Sequence, residues 1–139
     1  MEKTLILLKP DCVSRGHCGE VIGRFEQAGF KIKACKMMQL GDDLLKEHYA
    51  HIAHLPFFPE IQAFMKSTPV IAMVWEGDGI VDKVRTMLGP TDSKKAPKGS
   101  IRADLGQNVM MNIAHASDSA SSADAEIKRF FGSDGMFAY

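Results

Sequence analysis

Neither sign of charge dominates this sequence. Lys and Arg total 17, and Asp and Glu total 17, so no general basic surface exists to draw nucleic acid or an anionic membrane. Any anion site must come from local placement of cations. Cysteine is scarce: Cys12, Cys18 and Cys35, an odd number with no CxxC pair. That pattern excludes a disulfide framework and reads as free thiols in a reducing, cytoplasmic compartment. Long apolar runs are missing as well. The longest, Val70 to Trp75, falls far short of the ~20 residues a membrane span requires. The first residues, Met1-Glu2-Lys3-Thr4-Leu5, enter a short apolar run with neither the basic leader nor the cleavage site of a signal peptide. No G-x-x-x-x-G-K-[ST] run occurs, and no strand leads into G-x-G-x-x-G. A nucleotide bound here is therefore held without a P-loop.

What remains is an ordinary globular composition, 45% apolar and 24% charged over 139 residues. A chain of this length buries enough surface to fold as one domain, residues 1–139, without staples. Thr4 to Leu8 reads as a strand buried on both faces, ended by Lys9-Pro10-Asp11. From Gly19 to Ala28, Val21, Ile22 and Phe25 fall at helical spacing, and Gly29 supplies the stop. Phe30, Ile32 and Ala34 alternate with Lys31, Lys33 and Cys35, the period of a strand. Asp42 or Asp43 is expected to cap a helix reaching about Ala53. A short helix over Glu60 to Lys66 follows, then a strand from Pro69 to Trp75 and a helix from Ile80 to Leu88. Val109 to Ala114 reads as the last strand and Ser122 to Phe131 as the last helix.

Without its central helical insert, this order is a split β-α-β, β-α-β pair. The architecture expected is α/β (α+β): a ferredoxin-like sandwich with a four-stranded antiparallel sheet and helices on one face. Gly89 to Gln107 shows neither period and holds Pro90, Pro97, Gly99 and Gly106 among Lys94, Lys95 and Lys98. Loops this long inside compact domains are usually functional, and candidate phosphate ligands sit at its ends.

The segment Asn112-Ile113-Ala114-His115-Ala116-Ser117-Asp118-Ser119 sets an imidazole at a strand end before a run of hydroxyls. A histidine attacks phosphorus when one ring nitrogen is free and the other is held by an acceptor. Glu126, on the following helix, is a plausible acceptor. The plainer reading is a packed His with helix-capping serines after it. Lys9, Arg85 and Arg102 stand on separate elements. Singly each is a solvated charge; together they could stabilise a phosphoryl-transfer transition state.

Lys9-Pro10-Asp11, His48-Tyr49, Pro56-Phe57-Phe58, Met73-Val74-Trp75-Glu76-Gly77, Ile101-Arg102 and Asn112-x-x-His115-Ala116-Ser117-Asp118-Ser119 together resemble the nucleoside diphosphate kinases, from Thr4 to about Phe131. The resemblance implies ping-pong transfer of a γ-phosphoryl group from a nucleoside triphosphate to a diphosphate through phosphohistidine on His115. It implies that Lys9 and Asn112 bind ribose hydroxyls, with Lys9 also reaching the phosphates held by Arg85, Thr91 and Arg102. Phe57 would stack on the base, with Val109 on its other face and Ile61 alongside. Glu126 and Ser117 would orient His115, and Tyr49 would support the site from behind. An aromatic face accepts any base, so purines and pyrimidines should bind alike. Mg²⁺ would ride on the nucleotide phosphates, with Asp118 as the protein contact through water. A homo-oligomer, tetramer or hexamer, is implied.

The chain departs from the family pattern at Cys12 and Ala116, where Gly is usual. Ser93 and Lys98 stand where Pro is customary, and Leu105 replaces an aromatic. These changes touch the long loop and subunit packing rather than catalysis. His48, His51 and His54 recur at a spacing that suggests a metal site or a partly exposed helix face; the second reading is preferred. Cys12, close to Lys9, is weighed as a redox sensor against an inert thiol, and the inert thiol is preferred. Two rival functions are weighed: a catalytically silent nucleotide-binding or regulatory module, and an RNA-recognition module. The latter should show aromatics along its central strands; here only Trp75 qualifies.

Overall fold

Every residue from Leu5 to Leu8 is fully buried, because β1 (Lys3–Leu8) runs through the middle of a sheet covered on both sides. The computed structural model describes residues 1–139. Its four strands are β1, β2 (Lys31–Met38), β3 (Val70–Glu76) and β4 (Ala114–Ala116), in the order β2-β3-β1-β4. All three pairings are antiparallel, as expected.

Side chains alternate across these strands with a period of two. Ile6, Leu8, Met73 and Trp75 pack with Val21 and Phe25 of α2 (Cys18–Gln27) and with Ile80, Val84 and Leu88 of α5 (Ile80–Leu88). Leu5, Leu7, Ala72 and Val74 pack with Leu45 of α3 (Asp42–His48), Phe58 and Met65 of α4 (Phe58–Lys66), and Ile127 and Phe130 of α7 (Ala120–Phe131). Helices therefore cover both faces, not one. The two crossover helices share a face, as the split motif requires. The central insert and the last helix fill the other, because strands apolar at every position need cover on each side. Burying one such Leu or Ile contributes roughly 1.5–3 kcal/mol.

Five local expectations change. A short helix, α1 (Pro10–Ser14), follows β1 directly, with Pro10 in its first turn. Cys12 lies in that helix, where no left-handed angle is needed, so glycine's freedom is not missed. Helix α3 is preceded by Gly41 rather than a capping Asp, and it ends at His48 rather than Ala53. Asp42 instead pairs with Lys66 Nζ at 2.8 Å. A bulge between Ile32 and Ala34 breaks the alternation of β2, so Ile32 packs against one core and Ala34 in the other. The last strand is three residues long and contains His115 instead of preceding it.

The aperiodic loop is built of pieces too short to show a period. A 3-10 turn over Ser93–Lys95 is capped by Asp92, whose side chain accepts from Lys94 N at 3.1 Å. Helix α6 (Ile101–Leu105) is capped by Ser100, and Ile101 plugs into the core. No helix is long and apolar enough to cross a membrane.

Candidate active site

The register of β4 on β1 sets His115 opposite Leu7, one turn of chain from Lys9. Just before it, Ile113 is the only non-glycine residue with positive φ, at 79°. A β-branched residue there is strained by about 1–3 kcal/mol. The surroundings over-determine it. Asp11 Oδ2 accepts the Ile113 N–H at 3.0 Å, Ile113 O accepts the Lys9 N–H at 2.9 Å, and the Ile113 side chain is fully buried.

His115 Nε2 lies 2.8 Å from Glu126 Oε1. The same oxygen accepts the Ser117 hydroxyl at 2.8 Å, and Ser117, fully buried, accepts the Leu5 N–H at 3.2 Å. Burial works to raise the Glu126 carboxyl, but the hydrogen bonds from His115 and Ser117 outweigh it and hold the group below its ordinary value. An ionised carboxylate only accepts. Nε2 must then carry the proton, which leaves the lone pair on Nδ1, a nitrogen with no partner in the chain.

His48 backs this ring. The two imidazoles meet edge to face, centroids 4.7 Å apart. Arg129 Nη1 donates to His48 Nδ1 at 2.9 Å, and burial, reinforced by His115, pushes His48 down to about 3. It is neutral at working pH. Tyr49 packs edge-on against His48, with centroids 4.9 Å apart, and burial, then Glu126, pushes its hydroxyl up to about 12. Tyr49 thus stands behind the site through His48.

A cleft of about 850 Å³ opens in front of His115. Of the residues singled out in the sequence, all but Ser117 line it. Lys9 Nζ donates to Met110 O at 2.6 Å and Asn112 Oδ1 at 2.8 Å; burial lowers it to about 8, against the pull of Asp11. Arg102 donates to three carbonyls, Asn112 O at 3.1 Å, Gly89 O at 2.9 Å and Ala114 O at 2.7 Å. It therefore staples the loop to the strand as well as charging the cleft; burial, then Arg85, lowers it to about 10. Arg85 is exposed and makes no hydrogen bond. Asn112 Nδ2 donates to Thr91 O at 3.0 Å and Val109 O at 3.1 Å. At the outer rim, Phe57 and Val109 are 48% and 59% exposed, unusual for apolar side chains with nothing on them, and Ile61 sits between rim and core.

Three carboxylates line the cleft: Glu60, Asp118 and Glu126. Glu126 is already engaged by His115 and Ser117. Mg²⁺ demands an octahedron of oxygens, which these residues do not form alone. The fit is to a cation carried on phosphates, with exposed Asp118 nearest the reacting histidine in sequence. His48, His115 and Glu126 bring three ligand atoms within 4.8 Å of one another, but each is committed to hydrogen bonds, and His51 and His54 lie beyond the end of α3. The expected histidine triplet on one helix face does not exist.

Sequence reasoning assigned no role to Asp11, His48 or Met110. Asp11 had a visible signal, a carboxylate inside the Lys9-Pro10-Asp11 motif. His48 stood in the His48-Tyr49 motif, which gave no sign of its ring packing, and Met110 had no signal, since it acts through its carbonyl.

An imidazole nitrogen without a partner in a cleft lined by cations, with exposed apolar side chains at its rim, fits the class of nucleotide-dependent phosphotransferases. The family model for nucleoside diphosphate kinase matches residues 2–136. A nucleoside diphosphate kinase of Parabacteroides distasonis is 47% identical over all of this chain and 91% of that protein. One of Bacillus cereus is 45% identical over all of this chain and 94% of its own length. The solved structure of a halophilic nucleoside diphosphate kinase from Halobacterium salinarum, in complex with CDP, superposes with a TM-score of 0.96 at 38% identity, covering 99% of this chain and 92% of that one. The chain belongs to the nucleoside diphosphate kinase family.

Proposed function

We propose that phosphoryl transfer from nucleoside triphosphate to nucleoside diphosphate, the activity of this family, runs in this chain through a phosphohistidine on His115. The carrying observation is the 2.8 Å contact from His115 Nε2 to Glu126, which assigns the proton to one nitrogen and the lone pair to the other. Nδ1 attacks the γ-phosphorus, the bond from that phosphorus to the β-phosphate oxygen breaks, and the first diphosphate leaves. The new positive charge on the ring is balanced by Glu126 across the Nε2–H bond. A second diphosphate then attacks the phosphohistidine with a β-phosphate oxygen, the N–P bond breaks, and Nδ1 recovers its lone pair.

Arg85, Thr91 and the unused N–H groups of Arg102 hold the phosphates. Lys9 and Asn112 take the ribose hydroxyls, with Lys9 also near the phosphates. Phe57 stacks on the base, Val109 closes the other face, and Ile61 lies alongside. Phe57 and Val109 offer apolar faces that accept any base, so purines and pyrimidines serve equally. Mg²⁺ would be held mainly through the nucleotide phosphates, with Asp118 as its protein contact, and would supply charge neutralisation at the transferring group. Residues 1–139 act as one domain, in the cytoplasm on the evidence of three free thiols. A homo-oligomer, tetramer or hexamer, is supported by the edge position of β2 and its exposed Met37; analytical ultracentrifugation measures it.

Incubation with a γ-labelled nucleoside triphosphate should yield a labelled protein that loses its label in acid and keeps it in base. Label that persists in acid, or that survives His115→Ala, refutes the phosphohistidine.

A further inference from the structure

Cys12 and Cys18 flank the turn between α1 and α2. Gly16, at φ 73°, reverses the chain, and the His17 N–H donates to Cys12 O at 3.0 Å. That closure folds the start of α2 back onto α1. The two cysteines are set on either side of that turn, and Cys18 packs against the core cluster that contains Cys12. Cys12 is fully buried and Cys18 half-buried, while Cys35 is exposed on β2, outside the cluster.

The pair lies next to the nucleotide site along the chain. Cys12 follows Asp11, whose carboxylate holds the strained Ile113 in place, and Lys9 ends the same stretch. Cys12 thus adjoins the residue that clamps Ile113, two positions before His115. Burial, with the Cys18 thiol beside it, pushes the Cys12 thiol up. Lys9 does not activate it. The half-buried Cys18 is the sulfur an oxidant meets first.

We propose that Cys12 and Cys18 form a dithiol that a hydroperoxide converts to an intramolecular disulfide, and that this disulfide reversibly slows phosphoryl transfer. Cys18 sulfur attacks the peroxide oxygen, the O–O bond breaks, and one water leaves with Cys18 as sulfenic acid. Cys12 sulfur then attacks Cys18, the S–O bond breaks, and a second water leaves carrying the Cys12 proton. Two sulfurs are oxidised and one peroxide is reduced. The sulfurs must close to about 2 Å. The five-residue α1 is the element that yields, and it carries Asp11 with it. Transient disulfides of this kind are the form in which a cytoplasmic chain uses cysteine pairs.

The test uses the full chain, reduced and desalted, then titrated with hydrogen peroxide and alkylated. Mass mapping should show loss of two hydrogens, with Cys12 and Cys18 protected together and Cys35 still alkylated. Triphosphate–diphosphate exchange should fall at least about tenfold, the scale of a misplaced reacting group, and dithiothreitol should restore it. Cys18→Ser should match the reduced protein in activity and keep that activity through the same titration; Cys12→Ala is the second control should Cys18→Ser fold poorly. Cys12 remaining alkylatable after oxidation overturns the proposal. So does a Cys12–Cys18 cross-link without loss of activity, or an equal loss in Cys18→Ser.

Discussion

The wall behind His115 and the rim around Phe57 are built on opposite terms. The wall is half-buried to buried and tied by hydrogen bonds: Glu126 takes two on one oxygen, Ser117 bridges to β1, and His48 is held by Arg129. The rim is exposed and unpaired, with Phe57 and Val109 offering bare apolar surface. A preorganised wall suits a reaction step that is the same for every substrate. A rim without hydrogen bonds suits substrates that differ only in their bases.

Breaking the wall should cost most. Glu126→Ala frees the ring to rotate and to take the other tautomer, and kcat should fall by about a hundredfold, as for a misaligned reacting group. The KM for nucleotides should change little. Steady-state kinetics decides; an equal loss in KM would move Glu126 into substrate binding. Phe57→Ala tests the rim. It should weaken ATP, GTP, CTP and UTP by about tenfold alike, since stacking on one ring contributes roughly 1–3 kcal/mol per base. A penalty confined to purines would mean that the rim reads bases.

Lys9 joins the two regions and gives the smallest effect. Lowered to about 8 by burial, it is cationic below that pH and neutral above it in the free protein. kcat/KM, which reports the free enzyme, should drop by about fourfold between about pH 7 and pH 8.5 from this group alone. Lys9→Arg stays charged throughout, so the decline should disappear in that variant; a decline that persists there belongs to another group.

Much of this was legible along the chain because it depends on short-range pattern. Short unbroken apolar runs located β1 and β3, period-two alternation located β2, and helical spacing located α2, α5 and α7 within two residues of their observed starts. The reaction segment Asn112 to Ser119 was visible as a motif, and so was Glu126 as the acceptor for His115. The misses share a cause. α1, α6 and β4 run five, five and three residues, below the length at which periodicity registers. The bulge at Ile32 and Ala34 inverts a face without altering composition. Arg102 was foreseen as a phosphate ligand, but not as the staple for three carbonyls, since carbonyls look alike at every position.

The sequence by itself determined the family, the order of the main elements and the identity of the groups that line the cleft, because side-chain type and near-neighbour spacing carry that information. Tertiary structure decided which nitrogen of His115 keeps its lone pair, that helices cover both sheet faces, and that Asp11 clamps a strained Ile113. It also set two cysteines on either side of one turn, packed into the same core cluster. Those outcomes rest on hydrogen bonds and packing between groups as far apart in sequence as Asp11 and Ile113, and their energies exist only once the chain has closed around them.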